Sequence, residues 1–176
     1  MKTLLSSLLL IAGLFLISSC EGPIGPVGPQ GPQGEPGVNI VGEVFEIENV
    51  NFTAANDYFE NFRFTRAISP EDKISAFILW EIDNGTDIWR PLPQTVFLSQ
   101  GIFVYNFDFT RSDFSFFIEA NFDRATIPSG FSRNQIFRII VLPGKFTGSR
   151  IDMNDYQGLM NLLGKEEKDV IRLNRN

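Results

Sequence analysis

Cysteine occurs once in this chain, at Cys20, and histidine not at all, so 21 Asp and Glu side chains dominate the reactive inventory. Without histidine or a second thiol, Ser-His and Cys-His nucleophilic pairs are excluded, and so is zinc held by Cys or His ligands. Two carboxylates suffice to hydrolyse a glycosidic bond. Carboxylates are so numerous here that any pair can be drawn and no spacing singles one out. No catalytic residue is therefore assigned, and no enzyme activity is expected. Calcium takes oxygen ligands, and Asp83-Asn84-Gly85-Thr86-Asp87 offers them at Asp83 and Asp87. Asn84-Gly85 between two strands already accounts for that stretch as a type I′ hairpin turn. Asp152-Met153-Asn154-Asp155-Tyr156 begins like an EF-hand loop but places Tyr156 where an oxygen is wanted, and a helix cap at Asp152 accounts for it. No metal and no cofactor is assigned. Exposed tryptophans can stack on sugars. Trp80 shares a face with Ile74, Ala76, Ile78 and Ile82 and is expected in the core. Trp89, just past the hairpin, is the ligand-contact candidate.

The net charge of −6 and pI of about 4.7 argue against nucleic acid and anionic lipid surfaces as partners. Arginines are scattered singly, and no basic cluster offsets the balance.

The elements that would place such residues begin with a leader. Lys2, a run of about fourteen almost wholly apolar residues from Leu4 to Ile17, then Ser18 and Ser19 make the layout of a secretory signal. The run falls short of the roughly 20 residues a membrane-spanning helix needs. Ile17-Ser18-Ser19-Cys20 resembles the lipobox of bacterial lipoproteins. The resemblance implies cleavage between Ser19 and Cys20, acylation of the Cys20 thiol and acylation of the new amino terminus. Each buried methylene contributes about 0.8 kcal/mol, and more than one acyl chain gives lasting attachment. Removing residues 1–19, with Lys2 their one charge, takes −6 to −7.

Directly after Glu21 the chain reads GPI GPV GPQ GPQ GEP GVN, with Gly22, Gly25, Gly28, Gly31, Gly34 and Gly37 leading the triplets. A strict Gly-X-Y period is the collagen signature, because only glycine fits at the axis of three wound chains. Two states remain open. A single chain in polyproline II conformation forms a spacer of roughly 55 Å, whereas three chains form a homotrimeric stalk. The organisation is therefore a signal over 1–19, a lipidated Cys and collagen-like stalk over 20–39, and a head domain over 40–176.

Period-two alternation marks strands in the head. In 102–109, Phe103, Tyr105, Phe107 and Phe109 share a face. In 114–122, Phe114, Phe116, Ile118, Ala120 and Phe122 do so, and Thr110 to Asp113 join the two runs as a hairpin. Segments 74–82 and 136–142 are apolar on both faces, as central strands are. Segments 41–50 and 58–65 alternate less cleanly and read as edges. Pro91 and Pro93 make 88–92 an edge segment or irregular crossing. Met153, Tyr156, Leu159, Met160 and Leu163 fall at helical spacing, with Gly164 placed to stop the helix. A last strand is expected over 168–173. The fold class is an all-β antiparallel sandwich of about six to eight strands with one short C-terminal helix.

Lipobox, short collagen-like run and Phe-rich domain together resemble a group of small collagen-like lipoproteins of Bacteroidota, with "LWEIDNGTDIWRPLPQTVFL" (79–98), "YNFDF" and "FRIIVLP" carrying the likeness in the head. The resemblance implies the outer membrane and the cell envelope, and it carries no activity. The reading is a lipid-anchored envelope protein with a non-enzymatic binding or structural role. Its partners are the membrane through Cys20 and a protein or glycan. A glycan-binding module on a stalk is the alternative, and a carboxylate-based hydrolase a third.

Overall fold

The computed structural model describes residues 42–144, 146 and 151–173. Expectations at Ser19, Cys20 and the triplet glycines lie outside them. The described residues form nine strands in two sheets. Five of them, β1 (Glu43–Val50), β3 (Lys73–Asp83), β4 (Thr86–Pro91), β8 (Gln135–Leu142) and β9 (Ile171–Leu173), make one sheet in the order β4-β3-β8-β1-β9. The other sheet runs β2 (Phe59–Arg63), β7 (Asp113–Ala120), β6 (Gly101–Phe109), β5 (Gln94–Leu98). All pairings are antiparallel except β1 with β9, which is parallel.

Alternation decides which side chains meet between the sheets. Phe45, Ile47, Ile78, Phe137 and Ile139 of the five-stranded sheet join Phe103, Tyr105, Phe114, Phe116 and Ile118 of the other in one buried cluster. Phe116 stacks on Phe137 across the two sheets, with ring centroids 4.2 Å apart and planes 18° apart. Each such fully buried ring contributes about 1.5–3 kcal/mol. Tyr105 keeps its polar end satisfied by donating to the Phe131 carbonyl at 2.5 Å, and burial pushes its hydroxyl well above the ordinary tyrosine range. Phe131 belongs to α1 (Ser129–Ser132), and its ring packs on Phe103.

The hairpin of β6 and β7 forms as the pattern predicts, with Phe109 opposite Phe114. Asn84 and Gly85 take φ of 48° and 80°, the left-handed pair that a type I′ turn demands. The segments at 74–82 and 136–142 are central, and 59–63 is an edge. Segment 41–50 is a correction: β1 lies between β8 and β9, not at an edge. Its alternation is blurred because Val44 packs on the opposite face of the sheet from Phe45 and Ile47, and because the ladder is irregular between Ile47 and Val50, where Asn49 takes φ of 57°. The final strand is shorter than expected, since Glu167–Asp169 form a 3-10 turn ahead of it.

The C-terminal helix is α2 (Tyr156–Leu163). Gly164 ends it at φ 60°, as expected. The cap is Asp155 rather than Asp152: Asp155 accepts the Gly158 N–H at 2.9 Å, while Asp152 accepts the Asn154 N–H in the preceding turn. Two aspartates three apart compete for the role, and the one adjoining the helical φ/ψ wins. Leu159 and Met160 of α2 bury against Val44, Phe77, Ile140 and Leu142, the outward side chains of the five-stranded sheet.

Candidate functional site

Outward-facing register places Phe77, Arg138 and Glu46 side by side on β3, β8 and β1, beneath α2. Arg138 is 1% exposed and Glu46 5%. A bare buried guanidinium is costly, so its partners explain it. Its Nε donates to Glu46 Oε2 at 2.8 Å and its Nη2 to the same oxygen at 2.5 Å. Nη1 donates to Glu167 Oε2 at 2.9 Å, and further bonds run to Glu167 Oε1 and the Tyr156 hydroxyl. Burial works against the charge of Arg138, but the hydrogen bonds to Glu167 and Glu46 outweigh it and hold the group charged. Arg172 of β9 donates to the other Glu46 oxygen at 3.1 Å. The network thus ties β1, β8, β9, α2 and the 3-10 turn together.

Aromatic rings close over this cation. The Arg138 guanidinium carbon lies 4.2 Å from the Trp89 ring centroid, and Trp89 stacks on Tyr156 with centroids 5.4 Å apart. Burial pushes the Tyr156 hydroxyl above its ordinary range, and the adjoining Arg138 charge reverses this only in part. Trp89 is held here by β4, whose register sets it opposite Leu79.

Beside these rings lies an open groove of about 810 Å³ between the β3–β4 hairpin, α2 and the segment that follows it. Its walls combine Trp89 and Tyr156 with the amides Asn154, Gln157 and Asn161, with Arg138 and Lys165, and with the carboxylates Asp87, Asp155, Glu166 and Glu167. Of the carboxylates, Glu167 is engaged by Arg138 and Asp155 by the helix cap.

Trp89 therefore lines the groove, half-buried. Asp83 and Asp87 stand exposed at the tip of the hairpin, where Asp83 accepts from the Asn84 side chain at 3.0 Å and Asp87 borders the groove. Among the described residues no cluster of three or more Asp, Glu, His or Cys is placed to hold a metal ion. Trp80 faces inward as its pattern implies but is only partly buried, with the Arg90 guanidinium 4.0 Å from its ring centroid. Arg138, Glu46, Glu167 and Tyr156 escape sequence reasoning as a group. The available signal is a lone arginine inside the apolar run Ile136–Leu142; its partner Glu46 is 92 residues away.

Comparison with protein-family models, with characterised proteins and with solved structures finds no match to this chain.

Proposed function

We propose that the chain is a lipid-anchored protein of the outer membrane, attached at Cys20, that holds its β head on a short collagen-like spacer and acts by binding rather than by catalysis. The observation that carries this reading is Ile17-Ser18-Ser19-Cys20 behind an apolar run and directly ahead of the Gly-X-Y triplets. Anchor, spacer and head in that order make a device for holding a folded domain clear of a membrane. The likeness to small collagen-like lipoproteins of Bacteroidota supports the same location.

The test is metabolic labelling of the full chain with an alkyne-tagged fatty acid. Label and membrane association are expected in the wild type and lost together in Cys20→Ala. Retention of both in the variant overturns the reading.

The groove, with Trp89 stacked on Tyr156 and three side-chain amides beside them, favours a second reading, capture of a glycan. Trp89→Ala and Gln157→Ala are expected to lower retention on an envelope-polysaccharide column. Gln157 is exposed, so its loss leaves the fold intact. Unchanged retention in both variants removes the glycan.

A further inference from the structure

Asn-Gly occurs once in the sequence, and the fold sets that pair, Asn84 and Gly85, at the exposed tip of the β3–β4 hairpin. An asparagine loses its side-chain amide without an enzyme when the main-chain nitrogen of the next residue attacks its Cγ. The reaction is intramolecular and gains from proximity. Two things oppose it. A side chain on the next residue obstructs the approach, which glycine does not do. A hydrogen bond from that residue's N–H withholds the nitrogen.

Both obstacles stand at the other asparagines followed by a short residue. The nitrogens of Asp57 and Asp155, after Asn56 and Asn154, donate to the Ala54 and Asp152 carbonyls, each at 3.3 Å. Asn56 is further tied by its Nδ2 to the Asn51 carbonyl at 2.7 Å and to Glu60 at 2.6 Å. Gly85 is different. The two-residue turn closes through the flanking pair Asp83 and Thr86, and the Gly85 N–H makes no hydrogen bond among the described residues. Nothing lies within 4 Å of where a Gly85 Cβ would stand. Water, which the reaction consumes, reaches both residues.

We infer that Asn84 is a site of spontaneous deamidation through a cyclic imide formed with Gly85. The Gly85 nitrogen gives its proton to solvent base and bonds to Asn84 Cγ. The Cγ–Nδ2 bond breaks and the amide leaves as ammonia. One water then opens the five-membered succinimide ring. Opening at Cγ gives aspartate, and opening at the main-chain carbonyl gives isoaspartate, whose chain runs through Cβ. Nothing is oxidised or reduced, and a neutral amide has become a carboxylate. That charge falls beside Asp83, whose Oδ1 accepts from Asn84 Nδ2 at 3.0 Å, so a bond between donor and acceptor turns into carboxylate against carboxylate. It also adjoins Gly85, Thr86 and Asp87, which line the groove, so the rim grows more acidic as the molecule ages. The inference uses neither the anchor nor the glycan and survives the failure of either.

The test incubates the purified full-length chain at mildly alkaline pH and maps its peptides by mass spectrometry, with isoaspartate detected by methyltransferase labelling. The peptide spanning Asn84 is expected to gain about 1 Da, the exchange of an amide for a carboxyl, and to carry isoaspartate. Its gain is expected to be about tenfold faster than at Asn56 or Asn154. Gly85→Asp puts a side chain on a residue that still tolerates positive φ, and is expected to slow the gain about tenfold. Conversion no faster at Asn84 than at Asn56 and Asn154 overturns the site. Conversion that becomes fast only in guanidinium also overturns it, because the folded turn would then shield the pair. An unchanged rate in Gly85→Asp, or aspartate without isoaspartate, overturns the ring closure.

Discussion

The two outer faces of the molecule are built from the same kind of sheet and meet opposite fates. On the five-stranded sheet, Val44, Phe77, Ile140 and Leu142 lie under α2, all at 1% exposure or less. On the four-stranded sheet, Phe59, Ile102 and Phe97 stand in solvent. One difference is a buried ion pair. The covered face carries Arg138 and Glu46 in its middle: Arg138 takes Tyr156 of α2 and Glu167 of the 3-10 turn, and Glu46 takes Arg138 and Arg172 of β9. The outer face of the four-stranded sheet keeps its charge in solvent, where Asn106 donates to the exposed Glu119 at 3.0 Å.

Breaking that ion pair is expected to give the largest effect. Arg138→Ala leaves Glu46 buried with Arg172 as its remaining cation and releases Glu167 and Tyr156. A loss of about 2–4 kcal/mol is expected, measured by guanidinium unfolding, somewhat below the range for an uncompensated buried charge because Arg172 still bonds Glu46. Arg138→Met combined with Glu46→Leu is expected to recover most of it, because well-packed apolar replacements remove the orphaned charge as well. A loss below about 1 kcal/mol in Arg138→Ala would mean that apolar contacts alone seat the helix.

The covered face also titrates, which gives a second and smaller contrast. Tyr156 faces Arg138, Glu167 and Glu46, and burial raises its hydroxyl above the free value of 10.0. A raised folded pKa means that the native state keeps a proton the unfolded chain gives up. The associated stability is complete below pH 10 and is lost as pH rises from there through the folded pKa. Trp89 fluorescence, which reports contact with Tyr156, is expected to change in that alkaline range, and Tyr156→Phe to flatten the change. An identical profile in the variant would assign the alkaline loss elsewhere, with Tyr105 the next group to test, since burial raises it too.

How far the sequence foretells this depends on which interaction makes each element. The β6–β7 hairpin and the Asn84-Gly85 turn are local, so alternation and φ preferences announce them. Phe103, Tyr105, Phe114 and Phe116 could be placed in the core by pattern alone. Strand neighbours could not. Nothing in residues 43–50 says that β9 will join them in parallel from the far end of the chain, which is why β1 reads as an edge. Nor does the sequence reveal that α2 seals a face. Trp89 reads as a free ring past a hairpin, and only the fold brings Tyr156 and Arg138 against it. The arrangement of the candidate groove is thus a product of long-range pairing.

On the bare face the expected effect is smallest, and its smallness is what sharpens the contrast. Phe97→Glu exchanges a ring already in solvent for a charge, breaks no hydrogen bond, and leaves the opposing Ile102 where it was. The cost to unfolding is expected within about 0.5 kcal/mol, the ordinary range for an exposed site. A loss above about 2 kcal/mol would be far outside the exposed-site range. It would place Phe97 under cover within a single chain, and the two faces would then differ only in which segment seals them.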